Sequence, residues 1–118
     1  MIAVDPNKIH RYVLQAERTE PKEKQTTFLL RALTARERAE ADDLASDRTG
    51  RMTFGSQHLY ILQRGLTGWE NLQAEDGQNI PFPSPPPGVK AGEDAVGLVP
   101  YMALGEIVNA IMAAPKLP

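Results

Sequence analysis

The stretch Gly65 to Phe82, GLTGWENLQAEDGQNIPF, constrains this chain more than any other. It holds the only tryptophan, Trp69, and the pair Asp76-Gly77 set between apolar residues. Asp-Gly in that setting is a strong hairpin signal, because glycine takes positive φ without steric cost. The stretch closes an apolar helical pattern and runs straight into prolines. Trp69 is therefore expected at the end of a helix and the start of a short hairpin, pressed onto the core. The alternative is a plain surface loop with a half-buried tryptophan.

Upstream, Met1 to Lys8 reads as a short leader ended by Asp5-Pro6-Asn7, without the basic region and apolar run of a signal peptide. Ile9 to Ala16 is strand-like, with Tyr12 and Leu14 on one face and Arg11, Val13 and Gln15 on the other. Gln25 to Leu33 is a second candidate, in which Thr26, Phe28, Leu30 and Ala32 share a face. The intervening ERTEPKEK has little to bury, so it reads as the exposed tip of an antiparallel ribbon.

Thr34-Ala35-Arg36-Glu37 has the spacing of a capping box. A helix should follow from Ala35 to about Asp47, with opposite charges at Arg36 and Glu40 and at Arg38 and Asp42. Its apolar face is thin (Ala41, Leu44, Ala45), which suits a surface helix. Arg48-Thr49-Gly50-Arg51 interrupts the pattern. A second helix is expected from near Thr53 or Ser56 to Leu66, with Leu59, Leu62 and Leu66 at helical spacing and glycines Gly65 and Gly68 at its exit.

Pro81 to Gly88, PFPSPPPG, suits neither a central strand nor a helix. Residues 83–92 are read as a flexible connector within a single domain, the other reading being a ligand for a proline-binding groove. Asp94 to Ala114 reads as one helix, with Pro100 in its first turn. Leu104, Ile107, Val108 and Ile111 fall on one face. That helix is apolar around most of its girth, so it either completes the core or offers a face to another chain. The expected fold is α+β: an N-terminal β-ribbon, a small helical part, a short hairpin after the tryptophan and a C-terminal helix.

A chain of 118 residues suits one domain with one modest core. Aromatics make up only 6%, so that core must be mostly aliphatic. With no cysteine, disulfides, thiolate catalysis and cysteine-ligated zinc are excluded. A net charge of -2 with interspersed signs offers no nucleic-acid footprint, and no apolar run approaches a membrane span. His10 and His58 have no patterned carboxylate partners. Asp42-Asp43 are helical neighbours, which do not share a face. Glu75-Asp76 is explained by turn chemistry. GRMTFGS lacks the lysine of a phosphate-binding loop, and no hydrolase or metalloprotease motif occurs. A non-enzyme without cofactor or metal is expected.

The passages Phe28 to Glu37 (FLLRALTARE), Gly68 to Phe82 (GWENLQAEDGQNIPF) and Leu104 to Ile111 (LGEIVNAI) occur in a telling order. In that order the chain resembles the small tail assembly chaperones of long-tailed bacteriophages. The proline run and the extended N-terminal part have no counterpart in the pattern. The resemblance implies a non-catalytic protein of the bacterial host cytoplasm. Such a protein coats the helical, aggregation-prone tape measure protein while tail tube subunits assemble, and is absent from the finished virion. It points to Trp69, Phe82, Leu104, Ile107, Val108 and Ile111 as partner-binding residues, each of which ordinary core packing would equally explain. It also implies a longer form made by ribosomal slippage: Ala114-Pro115-Lys116 can be spelled with a slippery heptamer, which the coding DNA would reveal. Self-association is a further expectation. The alternatives are a head-tail connector or minor tail protein retained in the virion, and a small enzyme whose pocket joins His58 to an acid.

Overall fold

A computed structural model describes residues 1, 3–45, 54–83 and 93–114. The interruption at Arg48–Arg51, the helix start near Thr53, most of the 83–92 connector and the Pro115-Lys116 codons lie outside the described residues. The fold is α+β. Strands β1 (His10–Val13), β2 (Thr27–Leu30) and β3 (Leu66–Glu70) form an antiparallel sheet in the order β1-β2-β3. The helices are α1 (Ala35–Asp43), α2 (Phe54–Gly65), α3 (Glu93–Leu98) and α4 (Leu104–Met112).

The antiparallel ribbon forms, with His10 opposite Leu30 and Val13 opposite Thr27, but it is shorter than expected: β1 ends at Val13, and Gln15 and Ala16 leave it for a 3-10 turn. Phe28 and Leu30 turn inward and are fully buried. The loop at its tip forms two 3-10 turns, Gln15–Glu17 and Lys22–Lys24. It is tied back by Asn71, whose Nδ2 donates to the carbonyls of Glu23 (2.7 Å) and Gln25 (3.0 Å). Asn71 holds the left-handed conformation, φ 63°, which asparagine tolerates better than most residues.

The third strand departs from the expected order. Leu66 was expected to end a helix, and Trp69 to stand between helix and hairpin. Instead α2 ends at Gly65, and Leu66 begins β3 without a loop. Trp69 is inside the strand, opposite Phe28. Pairing with β2 supplies hydrogen bonds that no local pattern reveals, and it draws Leu66 and Trp69 into the core. The Asp-Gly turn forms where predicted. Gly77 donates to the Ala74 carbonyl (2.9 Å) with φ 84°, Ala74 donates to Gln78 (2.8 Å), and Gln73 bridges Asn79. This is a type I turn followed by a left-handed glycine, a common three-residue hairpin loop.

The capping box at Thr34 is complete: Glu37 N–H donates to Thr34 Oγ1 (3.2 Å), and Thr34 N–H donates to Glu37 Oε1 (3.0 Å). Arg31, just past β2, grips the same carboxylate with both guanidinium nitrogens at 2.9 and 2.7 Å. Arg36 pairs with Glu40 at 3.5 Å as the spacing predicts. Arg38 instead reaches across to the carbonyl of Met112 at 2.6 Å and ties α1 to the end of α4.

Helix α4 is the keystone of the core. Ile107 and Ile111 are fully buried with Leu62, Leu66, Phe28, Leu30 and Leu33. At the α2–α4 crossing there is no room for a side chain on Gly65: a Cβ there would lie 2.5 to 2.9 Å from three Ile111 side-chain carbons. The helix expected over Asp94 to Ala114 is divided. Pro100 is extended (φ -57°, ψ 133°), lacks an N–H and disfavours helix at the residue before it. It separates α3 from a 3-10 turn, Tyr101–Ala103, that leads into α4.

Two predictions follow from these contacts. Gly→Ala within a helix ordinarily gains up to ~1 kcal/mol. Gly65→Ala should instead cost about 1–2 kcal/mol, because overpacking outweighs propensity. On an Ile111→Ala background the same change should become neutral or stabilising, a non-additivity measurable by urea denaturation. The second concerns Glu37, whose carboxyl the Arg31 guanidinium and the Thr34 N–H hold down to about 2, against an ordinary 4.5. A depressed carboxylate stabilises the fold above its ordinary value, and that stability is lost as pH falls toward about 2. Glu37→Gln should therefore cost about 1–2 kcal/mol at neutral pH, the full shift being discounted for solvent screening. The gap to wild type should close near pH 2 in parallel denaturant melts.

Candidate functional site

The residues singled out from the sequence do not form one surface. Ile107, Val108 and Ile111 are 0, 4 and 0% exposed. They are the domain's own core and, in this fold, present nothing to a partner. The apolar girth of α4 is used up because the helix packs on α2 and its buried residues join the common core. Trp69 is also inside, 7% exposed. Its indole Nε1 donates to the Ile80 carbonyl at 2.7 Å, and the edge of Phe82 meets its ring, centroids 4.7 Å apart at 78°. A buried indole needs such an acceptor, and the hairpin after Asp76-Gly77 delivers it by folding Ile80 back. Phe82 is half-buried against the same cluster. Only Leu104, also half-buried, reaches an open apolar surface.

That surface lies between α2 and the segment running from α3 into α4. It consists of two adjoining hollows. One, of about 380 Å³, is lined by Leu59, Gln63, Val96, Gly97, Val99, Tyr101 and Leu104. The other, of about 760 Å³, is lined by Gly55, His58, Leu59, Tyr101, Met102, Leu104 and Gly105. Pro100 creates the wall. With three residues per turn, the 3-10 segment after it sends Ala103 inward (5% exposed) and throws Tyr101 and Met102 outward (87% and 95% exposed). Leu59 faces them from α2 at 46% exposure. Sequence periodicity had grouped Leu59 with Leu62, but Leu62 is fully buried and Leu59 is not.

The N-terminal part of α4 is fixed from behind. Glu106 Oε2 accepts from Tyr12 Oη (2.7 Å) and from the Gln15 N–H (2.9 Å). Burial and the Glu106 carboxylate both raise the Tyr12 phenol pKa above its ordinary value. On the other side of α2, Tyr60 Oη donates to Glu40 and the Arg64 guanidinium lies 3.6 Å over the Tyr60 ring. Both groove walls are therefore anchored by polar ties outside the groove.

The chemistry of the lining is almost wholly apolar. His58, Gln63 and the Tyr101 hydroxyl are its polar groups, and among the described residues no carboxylate lines either hollow. His10 is buried in β1, on a different element from His58. Among the described residues no group of three or more His, Asp or Glu side chains could hold a metal ion, and no helix is long and apolar enough to cross a membrane. Tyr101 and Met102 were missed from the sequence. The available signal was Pro100, whose break takes both residues off the helical face of α4.

The molecule is thus a small α+β domain carrying an apolar groove. Compared with known protein families, curated proteins and solved structures, the chain finds no match.

Because Trp69 is the single tryptophan, its burial can be read directly. Its emission should be blue-shifted and only weakly quenched by acrylamide, and both properties should be lost together on unfolding in urea. Strong quenching in the native state would contradict the packing of Trp69 under Phe82.

Proposed function

We propose that this chain is a small tail assembly chaperone of a long-tailed bacteriophage. It binds the tape measure protein in the host cytoplasm, stoichiometrically and without bond-making chemistry. The observation that supports this most is the groove between α2 and the Tyr101–Ala103 turn. It is an open apolar surface on a domain whose other apolar residues are largely spent on its own core.

The groove suits the apolar seam of a helix, lined by Leu59 and Leu104 with the exposed Tyr101 and Met102 at its rim. Helix-in-groove recognition relies on a few aliphatic or aromatic anchors. Each buried anchor contributes about 1.5–3 kcal/mol, so two or three give a reversible complex once association costs are met. Reversibility is what a chaperone needs if tail tube subunits are to replace it. Methionine at the rim adapts to varied surfaces. The passages that carry the family resemblance also support the reading. They supply β2 with the α1 cap, β3 with its hairpin, and α4, and these pack on one another in the core.

Co-expression with the tape measure protein tests the proposal. The client should remain soluble and co-purify with the wild-type chain. Leu59→Asp combined with Tyr101→Asp should reduce recovery at least about tenfold, since each buried unpaired charge costs more than 1.4 kcal/mol. The variant's own thermal melt should be little changed. A client that stays soluble and assembles normally without the chain would overturn the proposal. Mass spectrometry of purified virions should find the chain absent, whereas a connector or minor tail protein would be present.

A further inference from the structure

We infer that a second copy of this chain closes the groove until a client arrives, in a two-fold dimer whose Tyr101 and Met102 enter the partner copy's groove. A two-fold interface requires one patch that is complementary to itself. The patch here has that property. Tyr101 and Met102 stand out at 87% and 95% exposure, directly beside hollows of about 380 and 760 Å³ that Leu59 and Leu104 line. Projection and recess share one face, so a half-turn places each projection over the other copy's recess.

Charge permits the meeting. Each copy has a net charge of -2, yet among the described residues no Lys, Arg, Asp or Glu lines either hollow. Two copies can therefore meet there without setting like charges against each other.

Area sets the strength. A buried tyrosine contributes ~150–250 Å², so Tyr101 with Met102 and the exposed half of Leu59 offers on the order of 400 Å² per copy. With the groove walls included, two copies reach roughly the 1,000 Å² at which a specific but weak interface becomes possible. A weak dimer of this kind hides the apolar rim of the free protein and still yields to a client. That competition rests on the function proposed above; the dimer itself does not.

Sedimentation velocity of the full chain over a wide concentration range tests the dimer. The mass should rise from 13.0 kDa to twice that value and no further. Tyr101→Ser combined with Met102→Ser should weaken association about thirtyfold or more, as loss of a central aromatic anchor does, with an unchanged melt. The chain lacks cysteine, so single-cysteine variants report the geometry. Met102→Cys chains mixed with Leu59→Cys chains should form a disulfide-linked pair on mild oxidation, and either variant alone should link far less. A strict monomer at all concentrations would overturn the inference, as would growth past two copies into an open chain. A monomer that still solubilises the tape measure protein would remove the dimer and leave the function standing. A dimer that fails to solubilise it would do the reverse.

Discussion

The close approach of α4 to the end of α2 holds the molecule together. At Gly65 the two helices meet with no side chain between them, and Ile111 occupies the space that a Cβ would take. The approach has two consequences. It lets α2 end and β3 begin at the next residue, so that the carbonyl of Gly65 accepts from the Arg31 N–H at 2.9 Å. It also brings Ile107 and Ile111 into one core with Phe28, Leu30, Leu66 and Trp69 of the sheet. Two-stranded ribbons are marginal on their own, and the third strand with a core shared with α4 makes this one stable.

Around that crossing, polar groups fix the periphery. Arg31, Glu37 and Thr34 join the end of β2 to the start of α1, and Arg38 joins α1 to the Met112 carbonyl at the end of α4. Glu106 joins α4 to β1 through Tyr12. These ties involve charged partners or backbone groups, the class of hydrogen bond that contributes most. Among the described residues, none of the groups in these ties lines the groove.

The domain divides its apolar residues sharply. Most of the face of α4 that looked available for a partner is spent on the core, while Tyr101 and Met102, outside any regular helix, carry the exposure. Pro100 makes that division. Had the helix run unbroken from α3 into α4, Tyr101 and Met102 would follow its helical phase. Instead the proline forces a 3-10 turn, and one wall of the groove rises from it.

Local rules were enough for several elements. The alternation in β1 and β2, the capping box at Thr34 and the Asp76-Gly77 turn depend on neighbours a few residues apart, and each is present. The burial of Trp69 was expected, but the membership of β3, the choice of core over partner surface for Val108 and Ile111 and the exposure of Leu59 and Tyr101 were not legible in that way. Leu59 and Leu62 have the same composition signal, and Leu66 fits helix spacing as well as a strand. What separates them is which residues from distant parts of the chain arrive beside them. Sequence alone determined where the backbone caps, turns and alternates, because those hydrogen bonds close over short spans. Tertiary packing decided which apolar residues become core and which become surface, because burial is set by partners dozens of residues away.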